Sequence, residues 1–271
     1  MSREYALIQN TPTPATRQTL AADLRLLGIT QGITVLVHTS LSSLGWVNGG
    51  AVALIQALMD AVGETGTLAM PAHSGNLSEP SYWCNPPVPM DWQQTIRDTM
   101  PAYEPVITPT SSIGVVPELF RKFPGVLRSG HPAVSFCAWG RQAALVTGSH
   151  TLEYSLGEGS PLARLYEIDC KVLQLGTDFG HNTSIHLAEY RTGIRNTIMQ
   201  GAPMLRDGHR IWQEYRDLDI NNEEFDQIGQ EFEASYGVTR GVVAMAYCLL
   251  MSQRQLVDFA CQWFRDKSHE G

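Results

Sequence analysis

Long apolar runs, zinc-type cysteine pairs and concentrated basic charge are all missing from this 271-residue sequence. The longest apolar stretch, residues 241–251, is too short for a helix to cross a bilayer. Residues 1–10 carry charges and lack the continuous apolar segment of a secretory signal. The expectation is a cytoplasmic protein with no membrane partner. The five cysteines, Cys84, Cys137, Cys170, Cys248 and Cys261, are odd in number and include no CxxC pair. That excludes a simple disulfide framework and a zinc ribbon, and three of them sit in apolar runs as small hydrophobes do. Cys137 stays open as a nucleophile. Lys and Arg number 19 against 27 Asp and Glu, a net charge of −8. Nucleic acid is therefore not an expected partner, since phosphate contacts need clustered cations. The same balance favours cationic ligands, although it equally serves solubility. Neither a GxGxxG turn nor a Walker lysine is present, so dinucleotide and P-loop chemistry have no support.

What remains is a chain of ordinary hydrophobic content, 43%, in which strand-like and helix-like segments alternate. Helical periodicity runs over 15–27 through Leu20, Leu24 and Leu27, and stops at Gly28. Residues 33–38 are β-branched and nearly all apolar, the pattern of a strand buried on both faces. A helix is predicted over 50–62, with short strands at 67–70, 133–139 and 170–176. Further helices are predicted at 114–123 (capped from the Ser111–Ser112 side), 141–146, 161–168, 182–190 and 256–265. Between them, residues 72–109 hold seven prolines with Trp83 and Trp92, which predicts an irregular excursion of the kind that often borders a binding site. The expected fold is a single α/β domain over residues 1–271, a layered α/β/α arrangement around a central mixed sheet with this Pro-rich insertion.

Three constellations carry chemistry. After the strand ending near Gly176 come Asp178 and His181, then a helix bearing His186 and Glu189 three residues apart, hence on one face. A carboxylate so placed can orient an imidazole for proton abstraction. The same spacing also suits an ordinary solvated helix face, and His181, His186 and Glu189 together would suit a metal-dependent hydrolase. The loop Thr39, Ser40, Leu41, Ser42, Ser43, Leu44, Gly45 follows the first strand, where small hydroxyls and free amides can hold phosphate or carbonyl oxygens, or simply make a well-capped turn. Arg128, Ser129, Gly130, His131 and Pro132 precede another strand as an anion contact or as a turn.

His38 with the Thr39–Gly45 loop resembles the acyl-CoA loop of the aminoglycoside 3-N-acetyltransferase family. Thr110, Ser111, Ser112, Ile113 and Gly114, with Glu118 and Arg121, are similar to that family too, as are the Arg128–Pro132 run and Leu256–Ala260 with Trp263. Asn182 to Glu189 is similar to its most distinctive motif, and the matches fall in order over nearly the whole chain. The resemblance implies a fold distinct from the GNAT acetyltransferases, and no GNAT-type acetyl-CoA loop is present.

It further implies that acetyl-CoA binds His38, Thr39, Ser40, Leu41, Ser42, Ser43, Leu44, Gly45, Ser111, Ser112 and Gly114. His186 would be the catalytic base, supported by Glu189, with no metal. Asp178, Thr183, Asp217, Asp219, Glu223 and Glu224 would hold a cationic amino sugar, the 3-amino group of a 2-deoxystreptamine ring being the acceptor. Another small amine is the alternative substrate, a non-enzymatic binding protein a further reading, and a homodimer the assembly to consider. No clear covalent nucleophile is visible, so direct transfer in a ternary complex is expected.

Overall fold

The computed structural model describes residues 3–270. In chain order the elements are α1 (Arg3–Asn10), α2 (Arg17–Leu27), β1 (Thr34–Thr39), α3 (Gly50–Val62), β2 (Thr67–Pro71), α4 (Trp92–Thr99), α5 (Val115–Phe120), β3 (Leu127–Arg128), β4 (Phe136–Gly140), α6 (Ala143–Thr147), α7 (Pro161–Glu167), β5 (Lys171–Leu175), α8 (Ser184–Thr192), β6 (Thr197–Arg206), β7 (His209–Leu218), α9 (Phe225–Ser235), β8 (Thr239–Val243), β9 (Ala246–Ser252) and α10 (Gln253–Glu270). Short 3-10 turns cover Leu41–Leu44, Pro80–Tyr82 and Phe179–His181.

Seven strands form one sheet in the order β3-β4-β2-β1-β5-β9-β8, and β6 with β7 makes a separate two-stranded ribbon. The sheet is mixed: β1 runs parallel to both β2 and β5, while β4, β3, β9 and β8 join antiparallel. Strand alternation sorts the core into two layers. Val35, Val37, Leu68, Met70, Leu173 and Leu175 pack on one face with α2, α3 and α5. Leu36, Ala69 and Val172 pack on the other with α7, α8, α9 and α10. Each fully buried Leu or Ile in these layers contributes about 1.5–3 kcal/mol relative to an exposed one. The layered α/β/α expectation is met.

The topology also selects a crevice. From β1 the chain turns to α3 on the first face, and from β5 it turns to α8 on the opposite face. Where neighbouring parallel strands send their connections to opposite sides, a cleft opens beyond their carboxyl ends. The residues beyond β1 and β5 are those of the Ser-rich loop and of the Asp178–Thr183 turn.

Several boundaries differ from expectation for local reasons. The first core helix begins at Arg17 because Thr16 and Thr19 form a capping box, and it ends on Gly28 at φ +112°. The helix after Gly114 is only six residues, with no cap from Ser111 or Ser112; instead Glu118 reaches back to the Thr110 amide and hydroxyl at 2.8 and 2.9 Å. The 241–251 run is no single segment but a hairpin, β8 and β9, turning at Ala244. The β6–β7 ribbon and helices α1, α4 and α9 were not foreseen. The ribbon props the Pro-rich insertion: the Tyr103 amide donates to Pro203, the Glu79 amide to Gln200, and Arg210 to the carbonyls of Met100 and Arg97. Among the described residues no helix is long and apolar enough to cross a membrane.

Candidate active site

The crevice holds a cavity of about 830 Å³ walled by four segments. One is the end of β1 and the loop after it: His38, Thr39, Ser40, Leu41, Ser42 and Gly45. The Gly176–Thr183 turn after β5 supplies Gly176, Thr177, Asp178, His181 and Thr183, and the Ser112–Pro117 segment forms a third wall. Glu4 and Leu7 of α1 close the fourth side, with His73 beyond β2 completing the lining.

Local geometry explains how these segments meet. The Ser43 amide and hydroxyl both donate to the Ser40 carbonyl, at 3.2 and 2.7 Å, which tightens the loop into its 3-10 turn. A β-carbon at Gly176 would sit 1.7 Å from the Ser43 Oγ, and φ there is +68°, so only glycine lets the two loops touch. Gly114, at φ +85° with open space where a β-carbon would point, keeps the Ser112–Val115 wall clear. The Asp178–His181 turn is tied down from β5 and α9: Gln174 donates to the Asp178 carbonyl, the Gly180 amide to Asp226 at 2.9 Å, and Asn222 to the Gly180 carbonyl at 2.8 Å.

The sequence reading's His186 and Glu189 are brought into contact, although neither is among the residues lining the cavity. His186 Nδ1 lies 2.6 Å from Glu189 Oε2, the His186 ring packs on Phe225 with centroids 4.8 Å apart, and Glu189 is fully buried. The ionised carboxylate accepts only, so in the neutral imidazole Nδ1 carries the proton and Nε2 is left with its lone pair. No protein group among the described residues bonds that Nε2. Glu189 Oε1 receives Arg195 Nε at 2.5 Å.

His186 stands beside two further imidazoles. Burial pushes His38 and His73 down to about 3 each, and neighbouring charge adds to the effect: His181 and His186 for His38, and His186, His38, His150 and the Arg128 guanidinium for His73. Both are therefore neutral at physiological pH. His38 Nε2 approaches the Thr183 hydroxyl at 3.5 Å, the limit for a hydrogen bond. His73 Nε2 is shut off from solvent and unpartnered, as are the hydroxyls of Thr39 and Thr177. Three lining residues thus carry unsatisfied polar atoms, a costly arrangement unless a ligand or water completes it.

Of the predicted residues, Ser43 and Leu44 turn inward rather than lining the cavity, and Ser111 uses its amide on the His73 carbonyl at 2.8 Å. Asp178 lines the rim but pairs with His181 Nδ1 at 2.5 Å. The remaining acidic candidates stand elsewhere. Asp217 is buried and accepts from the Tyr190 hydroxyl and the Ser155 and Leu218 amides, and burial raises its carboxyl above the usual range. Glu224 is taken up by Arg195 and Lys267, while Asp219 and Glu223 are exposed away from the lining. The acidic run in the sequence was a poor guide because all four of its members lie at the ribbon end and in the turn before α9.

Arg128 is a strut, not an anion contact: it bonds the carbonyls of Pro105, Thr108 and Ala72 and the hydroxyls of Ser74 and Ser135, pinning both ends of the insertion. Cys137 is buried in β4 and burial pushes its thiol up to about 12, which leaves it inert. Among the described residues no group of three or more His, Cys, Asp or Glu is arranged to hold a metal ion; His181 and His186 are committed to different carboxylates. His73, Asp226 and Arg195 were missed. His73 follows a predicted strand end, so the strand-terminus rule flags it; the other two show no sequence signal.

A family model described as aminoglycoside 3-N-acetyltransferase matches residues 36–265. The SPbeta prophage-derived aminoglycoside N(3')-acetyltransferase-like protein YokD of Bacillus subtilis is 49% identical over 95% of each chain. Its crystal structure aligns at 47% identity with a TM-score of 0.96, covering 98% of this chain and 99% of that one. Aminoglycoside N(3)-acetyltransferase VII of Streptomyces paromomycinus is 36% identical over 97% of this chain and 96% of its own. The structure of AAC-IIIb in a binary complex with CoASH aligns at 31% identity and a TM-score of 0.84, over 94% of this chain and 98% of that chain.

Proposed function

The chain belongs to the aminoglycoside 3-N-acetyltransferase family, a family of acyltransferase enzymes, and from that premise we propose that it transfers acetyl from acetyl-CoA directly to an amine, with His186 as general base. The acceptor in this reading is the 3-amino group of a 2-deoxystreptamine aminoglycoside. The observation that carries it is the His186–Glu189 pair with its free Nε2, standing beside His38 and His73, which line the cavity walled by the β1 loop. CoASH binding by the relative AAC-IIIb supports acetyl-CoA as the donor here, the Thr39–Ser42 loop and Ser112–Gly114 forming the cradle for its pantetheine arm.

The chemistry assigns the roles. An alkylammonium titrates near 10.4 in water, so the nucleophile arrives protonated and inert. His186 Nε2 takes a proton from it while Glu189, on Nδ1, steadies the imidazolium that forms; such a base is worth about 10²- to 10⁴-fold in rate. As the amine attacks the thioester carbonyl, negative charge collects on its oxygen. The Ser43 amide is already used by Ser40, so the Leu41 and Ser42 side of the loop is where a donor worth about 3 kcal/mol would act. As the C–S bond breaks, the second proton of the nitrogen passes to the departing sulfur, so that CoA leaves as the thiol and the proton held by His186 is returned to solvent.

A different small amine is the second reading, favoured by one observation. The carboxylates lining the cavity are Glu4 and Asp178, and Asp178 is paired with His181. The test is a mass shift of one acetyl group on sisomicin- or apramycin-type compounds against simple amines, with the modified nitrogen located by NMR. Protein incubated with acetyl-CoA alone is expected to carry no acetyl group. An acetylated protein would overturn direct transfer, and modification of a monoamine alone would select the second reading.

A further inference from the structure

Glu189 is a fully buried carboxylate with both oxygens occupied, Oε2 by His186 Nδ1 at 2.6 Å and Oε1 by Arg195 Nε at 2.5 Å. Arg195 comes from the link between α8 and β6. Its other end donates from an Nη to Glu224 Oε2 at 2.6 Å, and Lys267 of α10 reaches Glu224 Oε1 at 2.9 Å. The guanidinium lies over the Phe264 ring, 5.7 Å from its centre. Charges therefore alternate from the candidate base to the C-terminal helix: imidazole, carboxylate, guanidinium, carboxylate, ammonium. The other titratable groups around the His186 ring are His38 at the end of β1 and His73 after β2, both neutral, with the mutually paired Asp178 and His181 at the rim. Glu189 is thus the anion in contact with the base, and Arg195 holds its other oxygen.

We propose that Arg195 is a positioning residue for the transfer: it holds Oε1 so that Oε2 meets His186 Nδ1 and the ring keeps Nε2 free for the amine. A permanently charged guanidinium suits this task, since one fork fixes two carboxylates at once. Without it, Glu189 would be left with a buried, unpartnered oxygen and could turn away from the ring. The inference rests on the reading of His186 as base.

Two variants in the full-length protein test it, Arg195→Gln and Glu224→Gln, each followed by steady-state kinetics and by NMR observation of the His186 Nδ1–H proton shared with Glu189 in the ligand-free protein. For Arg195→Gln, kcat is expected to fall about tenfold and the downfield Nδ1–H signal to be lost. KM for acetyl-CoA stays within about twofold, because no CoA contact is removed. Glu224→Gln, nearer the surface and available should Arg195→Gln fail to fold, removes one of the two anchors of Arg195 and is expected to weaken that signal and lower kcat about two- to threefold. An unchanged Nδ1–H signal, or an unchanged kcat, in Arg195→Gln would overturn the role of Arg195. Wild-type protein that acetylates no amine at all would instead remove the functional reading, and the ligand-free signal would still judge Arg195.

Discussion

Two histidine–carboxylate pairs stand five residues apart in this chain and share spacing and bond length, yet only one is shielded from water and clamped from behind. Asp178 with His181 and His186 with Glu189 are both separated by three residues, with contacts of 2.5 and 2.6 Å. In the first pair the side chains are 68% and 64% exposed; in the second, 15% and 0%. Water screens the outer pair, and two free side chains give back in entropy most of what the contact supplies, leaving under about 1 kcal/mol. The inner pair sits where attraction is barely screened, with its ring fixed on Phe225 and its carboxylate clamped by Arg195. Spacing finds a pair. Burial and a second clamp set one pair apart.

The contrast can be broken most severely at Glu189. Glu189→Ala leaves the Arg195 charge without its buried partner, and chemical denaturation should register a loss of about 3–5 kcal/mol. Asp178→Ala should stay below about 1 kcal/mol in the same assay. Equal losses would show that the inner pair is hydrated after all.

Next in size is the response to acid. Folding holds His38 and His73 at about 3 and His150 at about 4, with His131 well below its ordinary value, in each case chiefly by burial. The unfolded chain, with imidazoles near 6.5, binds more protons than the folded one below that pH. Stability from these groups is therefore complete above about pH 6.5 and drains away as pH falls toward 4. Thermal melts between pH 7 and 4.5 should decline steadily, and to the same extent in a His181→Ala variant. A flat profile over that range would contradict the burial of the four rings. The smallest effect is expected for His181→Ala itself, with kcat within about threefold of wild type, as suits a screened rim group. A loss of a hundredfold there would move the base from His186 to His181.

How much of this was legible follows the same division. Segments buried on both faces announce themselves: residues 33–38, 67–70 and 170–176 were readable as strands because nearly every position is apolar, and they appear as β1, β2 and β5. The crevice beyond β1 and β5, with His38, Thr39, Ser40, Asp178 and Thr183 on its walls, could be placed from strand ends alone. The β6–β7 ribbon could not. The burial of β6 alternates at its start and then runs through three consecutive buried residues, Gly201, Ala202 and Pro203, so no period of two survives in the sequence. Helix α9 hides for another reason. Gly229 interrupts its pattern, because a β-carbon there would strike the Phe179 ring at 2.0 Å. Contacts made across the fold, such as Arg195 on Glu189, leave no local trace, and the acidic run from Asp217 to Glu224 misled because its charges are spent on internal donors or face solvent.

The most direct measurement is steady-state kinetics of His186→Ala with acetyl-CoA binding measured alongside by calorimetry. A fall in kcat of at least about a hundredfold with acetyl-CoA affinity nearly unchanged is expected of a lost general base. Turnover within a few-fold of wild type, at any pH between 6 and 9, would contradict it.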